Sequence, residues 1–399
     1  MPAPTTPNEL LIISPNWLGD AVMAMPAIKA YKTANPATRI VILAKKSVAP
    51  IWQMHDSISE TIILERGNRA TFATAFALRR RRFSAAIILP NSFRSALIPY
   101  LARIPIRRAA RGKLRAPLLS EIVSLKGLDT AHQSLEYARL LLGAEAPCPA
   151  MPCPLHHFPS GSGFHPIPVV PGSVSSVVPA LCAGSAPLPN STPHSPLQPP
   201  PSGAQRRSYR ASDIDIDPAN ATAREDARPP IPDDAQRPII LIPGAARGDS
   251  KRWPYFAELA KLILAERPQT RFLICGAPNE TALCHELAQK IGASAQDISG
   301  ATTLPEFARQ LAAAPLVICN DSGGMHLASA AGTPVLAIYG LTNPIKTGPI
   351  GANALIVQAT GITPARDIPR DSPAAAAAMR SIVPETVFKR LRKHLEAKF

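Results

Sequence analysis

The stretch Leu316–Gly340, L-V-I-C-N-D-S-G-G-M-H-L-A-S-A-A-G-T-P-V-L-A-I-Y-G, limits the possible folds more than any other part of this 399-residue chain. Its apolar run Leu316–Cys319 has the length and β-branching of a buried strand, and Asn320–Gly324 has turn and N-cap chemistry. Met325–Ala331 favours a helix that Gly332 closes, and Val335–Tyr339 is a second buried strand. The result is a strand, loop, helix and strand in which the backbone N–H groups of Ser322, Gly323 and Gly324 line a helix N-terminus. Unpaired donors and the helix macrodipole favour an anion there. Two other readings exist. D-S-G-G also surrounds the nucleophile of trypsin-like proteases, but the flanking strand, the Ala-rich helix and the lack of a secreted cysteine framework argue against a Ser322–His326 catalytic pair. A purely structural turn, with Asp321 as cap and His326 packed on a helix face, is the stronger rival. The paired glycines favour a ligand, because they let a bulky group approach the backbone.

The pattern recurs along the chain. Leu10–Ser14 and Arg39–Ala44 read as buried parallel strands around a helix at Ala21–Thr33, so Asp20 falls at the carboxyl end of a strand, where open α/β sheets bind ligands. Asp20 serves equally well as a simple cap. Strands are expected at Thr61–Leu64 and Ala85–Leu89, with helices at Phe72–Arg82, Ser95–Leu101 and Asp129–Leu142. After Pro238–Pro243, a strand, come a helix at Tyr255–Ala265, a strand at Arg271–Cys275, helices at Thr281–Ile291 and Leu304–Ala313, and a basic terminal helix at Val383–Phe399. Between Pro147 and Pro238 lie 21 of the 45 prolines, with little periodicity. Such a tract cannot bury enough apolar surface to offset its ordering entropy, so it reads as a disordered insertion. The expected organisation is a first domain at 1–146, a Pro/Ser-rich insertion or linker at 147–237, and a second domain at 238–399.

Charge and cysteine usage narrow the class. Between Arg79 and Arg115 there are eleven Lys or Arg residues and no Asp or Glu. That density suits phosphates in nucleic acid, anionic lipid or a phosphorylated glycan, or else a solvated face without a partner. Aromatics make up 5% of the chain and no binding motif is present, which argues against nucleic acid. The six cysteines form no paired C-x-x-C, so neither a disulfide framework nor a zinc site is expected. The first residues lack a basic and apolar leader pattern, and no uninterrupted apolar window spans a bilayer, so the expected location is cytoplasmic.

The loops Asn16–Asp20 and Asn91–Arg94 of the first domain face Gly244–Lys251, Gly276–Glu280 and Asp321–His326 of the second. A cleft between them would hold an acid on one wall and an anion-binding helix end with Lys251 on the other. That suits transfer from a diphosphate-activated donor: Lys251 and the Ser322–Gly324 amides stabilise the leaving diphosphate, while Asp20 takes the proton of the attacking hydroxyl.

Four segments, S-P-N-W-L-G-D-A-V-M-A-M-P-A, P-N-S-F-R-S-A-L-I-P-Y, P-G-A-A-R-G-D-S-K-R-W-P and N-D-S-G-G-M-H-L-A-S-A-A-G-T-P, resemble the ADP-heptose:lipopolysaccharide heptosyltransferases of glycosyltransferase family 9. The resemblance covers about Leu10–Gly143 and Pro238–Phe399. It implies a GT-B fold of two Rossmann-like domains facing across a cleft, with the acceptor on the first and the donor on the second. The implied reaction is an inverting transfer of L-glycero-D-manno-heptose from ADP-heptose to the first heptose of the Kdo-lipid A inner core. It makes Asp20 the candidate base and Lys251 the phosphate contact. Gly244, Asp321, Ser322, Gly323, Gly324 and His326 become the donor site, with Glu280 at the nucleoside. Asn16, Asn91, Arg94 and Arg111 are the candidate acceptor contacts. The basic first domain is expected to lie at the inner face of the inner membrane, and the chain is expected to act as a monomer without nucleic acid. No metal or cofactor is expected, since Lys251 and the helix end can neutralise the diphosphate. Ala246 departs from the pattern, standing in the phosphate-loop region where related members can carry a polar or acidic residue.

Competing readings are another family 9 transferase with a different sugar or acceptor, a nicotinamide dehydrogenase, a sugar-nucleotide epimerase and a non-catalytic glycan- or membrane-binding module. A dehydrogenase needs G-x-G-x-x-G after a strand, whereas the first loop offers only Gly19.

Overall fold

The computed structural model describes residues 8–112, 114–143, 237–351, 353–365 and 368–396. All but one residue of the expected insertion at 147–237 lie outside the described residues.

The first half runs β1 (Glu9–Ile13), α1 (Leu18–Ala34), β2 (Arg39–Lys45), α2 (Ala49–Gln53), β3 (Glu60–Leu64) and α3 (Asn68–Arg79). It continues with β4 (Phe83–Ile88), α4 (Phe93–Leu101), β5 (Ile106–Ala110), β6 (Glu121–Val123) and α5 (Gln133–Leu142). The second runs β7 (Ile239–Ile242), α6 (Phe256–Glu266), β8 (Phe272–Ile274), α7 (Thr281–Ile291), β9 (Ala295–Asp297), α8 (Leu304–Ala313) and β10 (Val317–Asn320). After these come α9 (Gly323–Ala330), β11 (Val335–Tyr339), α10 (Pro344–Thr347), β12 (Ala354–Gln358), α11 (Pro373–Arg380) and α12 (Pro384–Glu396).

Each half forms a six-stranded parallel sheet, ordered β3-β2-β1-β4-β5-β6 and β12-β11-β10-β7-β8-β9. Strand order reverses between β1 and β4 and between β7 and β10, so each sheet opens a crevice at the carboxyl ends of these central strands. The strands are apolar throughout because both sheet faces are covered. Leu10, Ile12, Ile40 and Ile42 face α1, α2 and α5, while Leu11, Ile13, Val41 and Leu43 face α3 and α4. The first of these layers does not stop at its own sheet. It runs through α8 and α9 to Ile240, Ile242 and Val317, so one continuous apolar cluster joins the halves. Residues 19 and 21–28 of α1 are buried on all sides, as expected of a helix enclosed by two layers.

The differences from the sequence reading have local causes. Helix α5 begins at Gln133 rather than Asp129, because Leu128 and Ala131 are tied into turns and the His132 ring accepts the Ser134 N–H as a cap. Helix α9 starts two residues early, at Gly323. The basic segment conceals a strand, β5, whose arginines are met by acids distant in sequence but adjacent in space. Arg108 pairs with Glu121 of β6 at 2.6 Å. Just before β4, Arg81 pairs with Glu9 at 2.9 Å and Glu60 at 2.7 Å. Arg115 is buried, donating to the carbonyls of Pro90 and Ala110. The acid-free run is therefore less cationic on the surface than its composition implies.

Candidate active site

Helices α1 and α9 leave the central strands β1 and β10 and meet at their first turns. A Cβ at Gly19 would lie 2.7 Å from Cδ2 of His326, and one at Gly323 would lie 2.9 Å from Cβ of Leu18. A Cβ at Gly324 would lie 2.9 Å from Cδ1 of Ile242. The two glycines of the motif thus allow close packing of helix on helix and helix on strand on their Cα side. Neither Trp17 at the N-cap of α1 nor Ser322 at that of α9 makes a side-chain cap bond. The first-turn amides of α9 keep no side-chain acceptor, and the Ser322 hydroxyl and His326 Nδ1 are buried without a hydrogen-bond partner. Burial pushes the His326 imidazole down to about 4, so it is neutral at neutral pH.

Asp20 stands in the first turn of α1. Its Oδ1 accepts from Gln133 Nε2 at 2.9 Å, and the same amide nitrogen donates to the Tyr137 hydroxyl oxygen at 2.9 Å. Burial raises the Asp20 carboxyl above its ordinary value; the hydrogen bonds from Gln133 and Tyr137 and the positive charge of Lys251 oppose the rise. An acid from the first half and an ammonium from the second are therefore within electrostatic reach of each other.

In the second half, Lys251 Nζ lies 2.5 Å from Oδ2 of Asp321, a buried carboxylate. The loop that carries Lys251 is stitched down at several points. Ser250 donates its hydroxyl to Pro369 O at 2.7 Å, and the Asp371 carboxylate accepts from the Asp249 N–H at 3.1 Å. The carbonyl of Ala246 accepts from Arg370 at 2.8 Å. Asn320, fully buried, donates to Pro243 O at 2.7 Å and accepts the Trp253 N–H at 3.0 Å, locking the loops after β7 and β10 together. The Glu280 carboxylate sits against Gly244, where a Cβ would be only 2.2 Å away, and takes the Ala277 N–H at 3.0 Å. Gly244, Lys251, Glu280, Asp321 and Ser322, from loops, and Gly323, Gly324 and His326, from the first turns of α9, thus stand at one sheet edge, and α1 brings Asp20 against them.

The acceptor candidates are less tightly gathered. Asn16 is partly buried in the turn before α1, and Asn91, Arg94 and Arg111 are exposed. The Arg94 guanidinium donates to Thr71 Oγ1 and to Gly67 O, both at 2.8 Å, bracing α4 against the start of α3. Asn91 lies over Gly112, beside the buried Arg115. Among the described residues no group of three or more His, Cys, Asp or Glu could hold a metal ion.

Sequence reasoning missed Gln133, Tyr137, Asn320 and Asp371. Gln133 had one available signal: it precedes Tyr137 and Leu141 by one and two turns on the buried stripe of α5, where a polar residue needs a partner.

The model for glycosyltransferase family 9 (heptosyltransferase) matches residues 206–375. Over 369 residues, 88% of each chain, the sequence is 26% identical to lipopolysaccharide heptosyltransferase 2 of Salmonella typhimurium. The fold is similar to that of E. coli ADP-heptose lps heptosyltransferase II, with a TM-score of 0.65 and 23% identity over 98% of this chain and 99% of that one. It is also similar to E. coli heptosyltransferase WaaC with ADP, with a TM-score of 0.63 and 17% identity over 96% and 99%. One parallel sheet with a phosphate-suited loop is common to many enzymes, but this likeness takes in both sheets and most of the length of each relative, and it is to the heptosyltransferases of glycosyltransferase family 9 that the chain is similar.

Proposed function

We propose that the chain transfers L-glycero-D-manno-heptose from ADP-heptose to the first heptose of the Kdo-lipid A inner core, with inversion, in lipopolysaccharide biosynthesis. The carrying observation is the interlock of the helix starts, Gly19 on His326 and Gly323 on Leu18. It leaves a hydrogen-bonded carboxylate and an uncapped helix N-terminus on two sides of one crevice, as a displacement at a sugar carbon requires. The family's sequence relatives and the solved neighbour with ADP support the donor class.

In this reading the acceptor hydroxyl oxygen forms a bond to the anomeric carbon as the bond from that carbon to the diphosphate oxygen breaks. ADP leaves with the electron pair, and Asp20 takes the hydroxyl proton. Lys251, the Ser322–Gly324 amides and the neutral His326 stabilise the charge growing on the diphosphate. Asp321 fixes the Lys251 ammonium by its ion pair. Glu280 and Gly244 take the nucleoside, and Asn16, Asn91, Arg94 and Arg111 serve the acceptor.

We also propose that the protein works as a monomer on the cytoplasmic face of the inner membrane. Supporting this, α3 and α4 cover the sheet face opposite the junction of the halves and expose Phe72, Phe76, Phe93 and Tyr100. Exposed arginines Arg69, Arg79, Arg80 and Arg82 lie on or just beyond α3, a combination that suits an anionic bilayer surface. No described helix is long and apolar enough to cross a membrane.

The test is to incubate the purified protein with ADP-heptose and a lipopolysaccharide truncated after its first heptose. The expected product is heavier by one heptosyl unit and forms with release of ADP. Transfer of a different sugar, or ADP release without a heavier product, overturns the reading.

A further inference from the structure

Helix α5 carries four side chains on two adjacent stripes of its first turns, and the stripes face different halves of the molecule. His132, the cap, and Glu136, one turn on, reach the second half. The His132 Nε2 lies 3.1 Å from Gly348 O, and the Glu136 carboxylate pairs with the buried Lys346 ammonium. That ammonium also donates to Leu128 O at 2.8 Å, just ahead of the helix. Gln133 and Tyr137, the neighbouring stripe, reach Asp20.

We propose that Gln133 and Tyr137 are positioning residues for Asp20, and that the Glu136–Lys346 pair and the His132 contact fasten α5 so that the carboxylate is aimed only when the two halves are seated together. This rests on the reading of Asp20 as the base. The argument is one of valence and placement. The Gln133 amide nitrogen has two N–H groups, and both are used: one on Asp20 Oδ1, one on the Tyr137 oxygen. With that oxygen already accepting, the Tyr137 O–H is free to donate to Asp20. Two neutral donors therefore hold a partly buried carboxylate in its charged form without neutralising it, as a general base requires. Across the crevice, Lys251 also favours the charged form, while Glu136, on α5 itself, opposes it. Lys346 is paired to Glu136 and so moderates that opposition. His326, against Gly19, stays neutral and adds no charge near neutral pH. Contact between α5 and the Lys346 loop thus acts on the base through geometry and through charge.

The experiment compares the full chain with Gln133→Met, Tyr137→Phe and Lys346→Met variants, using Asp20→Asn as reference and following kcat, KM for ADP-heptose and the pH profile of kcat. Gln133→Met keeps the side-chain length and removes the donors. Its kcat is expected to fall by up to about a hundredfold, as for a misplaced catalytic group. Its KM for ADP-heptose should stay within about twofold, because no transition-state-independent contact is lost. The acid limb of kcat should move to higher pH, because a hydrogen bond to the charged form is gone. Tyr137→Phe should move the limb the same way, and it carries the test if Gln133→Met does not fold. Lys346→Met, which takes the ammonium away from Glu136, should reproduce the limb shift in weaker form. Unmoved acid limbs in both α5 variants, or a loss carried by KM, would mean that α5 merely packs, and the inference falls. If Asp20→Asn itself keeps full activity, the assignment of the base fails instead.

Discussion

Helices α1 and α9 begin alike and use their first turns in opposite ways. Each leaves a central strand of its sheet, each is pressed against the other by a glycine, and neither has a side-chain cap. Both therefore start with unpaired amide donors and a partial positive charge. Helix α1 carries Asp20 in its first turn, whereas α9 has no acid in its own. A carboxylate in the first turn stabilises a helix by roughly 0.3–1 kcal/mol and leaves less positive field for an arriving anion. Helix α9 has no such carboxylate to offset that field, and the Lys251–Asp321 pair lies just ahead of its first turn. In the function proposed above, one acidic residue, present in one helix and missing from the other, separates a proton acceptor from an anion seat on otherwise similar scaffolds.

The asymmetry breaks most visibly at Asp20. Replacing it with alanine should cost about a thousandfold in transfer rate, in the range for a positioned general base. ADP affinity, measured by calorimetry, should be nearly unchanged because the anion seat belongs to α9. Full activity in Asp20→Ala would move the base elsewhere.

A second break lies in protonation. His326 is held neutral in the fold, with its imidazole down at about 4 against an ordinary 6.5. An unfolded chain takes up this proton below about 6.5, and the folded one resists until about 4, so stability is fully present above 6.5 and is lost as pH falls through the window. The loss reaches about 3 kcal/mol by linkage. Urea unfolding at pH 7.5 and 4.5, compared with a His326→Asn variant, isolates this contribution from that of Asp321, Lys251 and His132, which face the ring. An identical pH slope in the variant would show that the imidazole titrates normally.

Third in size is the interlock itself. Alanine at position 19 would gain up to about 1 kcal/mol of helix propensity. Its Cβ would also press on a fully buried ring, and overpacking of that kind costs roughly 1–3 kcal/mol. A net loss of about 1 kcal/mol is expected in denaturant unfolding. A more stable Gly19→Ala protein would mean the helix starts are not in close contact.

The sequence reveals those parts of the molecule whose physics is local. Strands β1, β2, β10 and β11 are covered on both faces, so they appear as unbroken apolar runs. Strands β6 and β9 lie at sheet edges, are three residues long and include charged or polar residues, so no period announces them. Strand β5 is hidden by Arg107 and Arg108, whose partners are supplied by Leu118, Ile104 and Glu121 only after folding. The site divides the same way. Asp20, Lys251 and the Asp321–His326 loop stand at strand ends and are legible, but the contact from Gln133 to Asp20 spans 113 positions and leaves no local trace. The glycines of D-S-G-G were legible as special, but what they pack against was not. What they meet is Leu18 and Ile242, and nothing near them in sequence says so.

The smallest expected effect tests the comparison most finely, because it asks what an uncapped helix start is for. At the start of α4, Ser92 is a working cap: its hydroxyl accepts the Ser95 N–H at 3.2 Å, and Ser92→Ala should cost about 1 kcal/mol in unfolding free energy. Ser322 occupies the same position on α9, but its hydroxyl makes no cap bond and is buried without a partner. Ser322→Ala should therefore change stability by less than about 0.5 kcal/mol, while the loss of one hydrogen bond to the diphosphate weakens ADP binding by about three- to tenfold. If both serines cost the same in unfolding and ADP affinity is untouched, Ser322 is a cap like any other and the difference between α1 and α9 is one of packing alone. If instead the cost of Ser322→Ala appears only when ADP is present, the N-terminus of α9 has been left open at no expense to the fold, and its unpaired donors are explained by the ligand they receive.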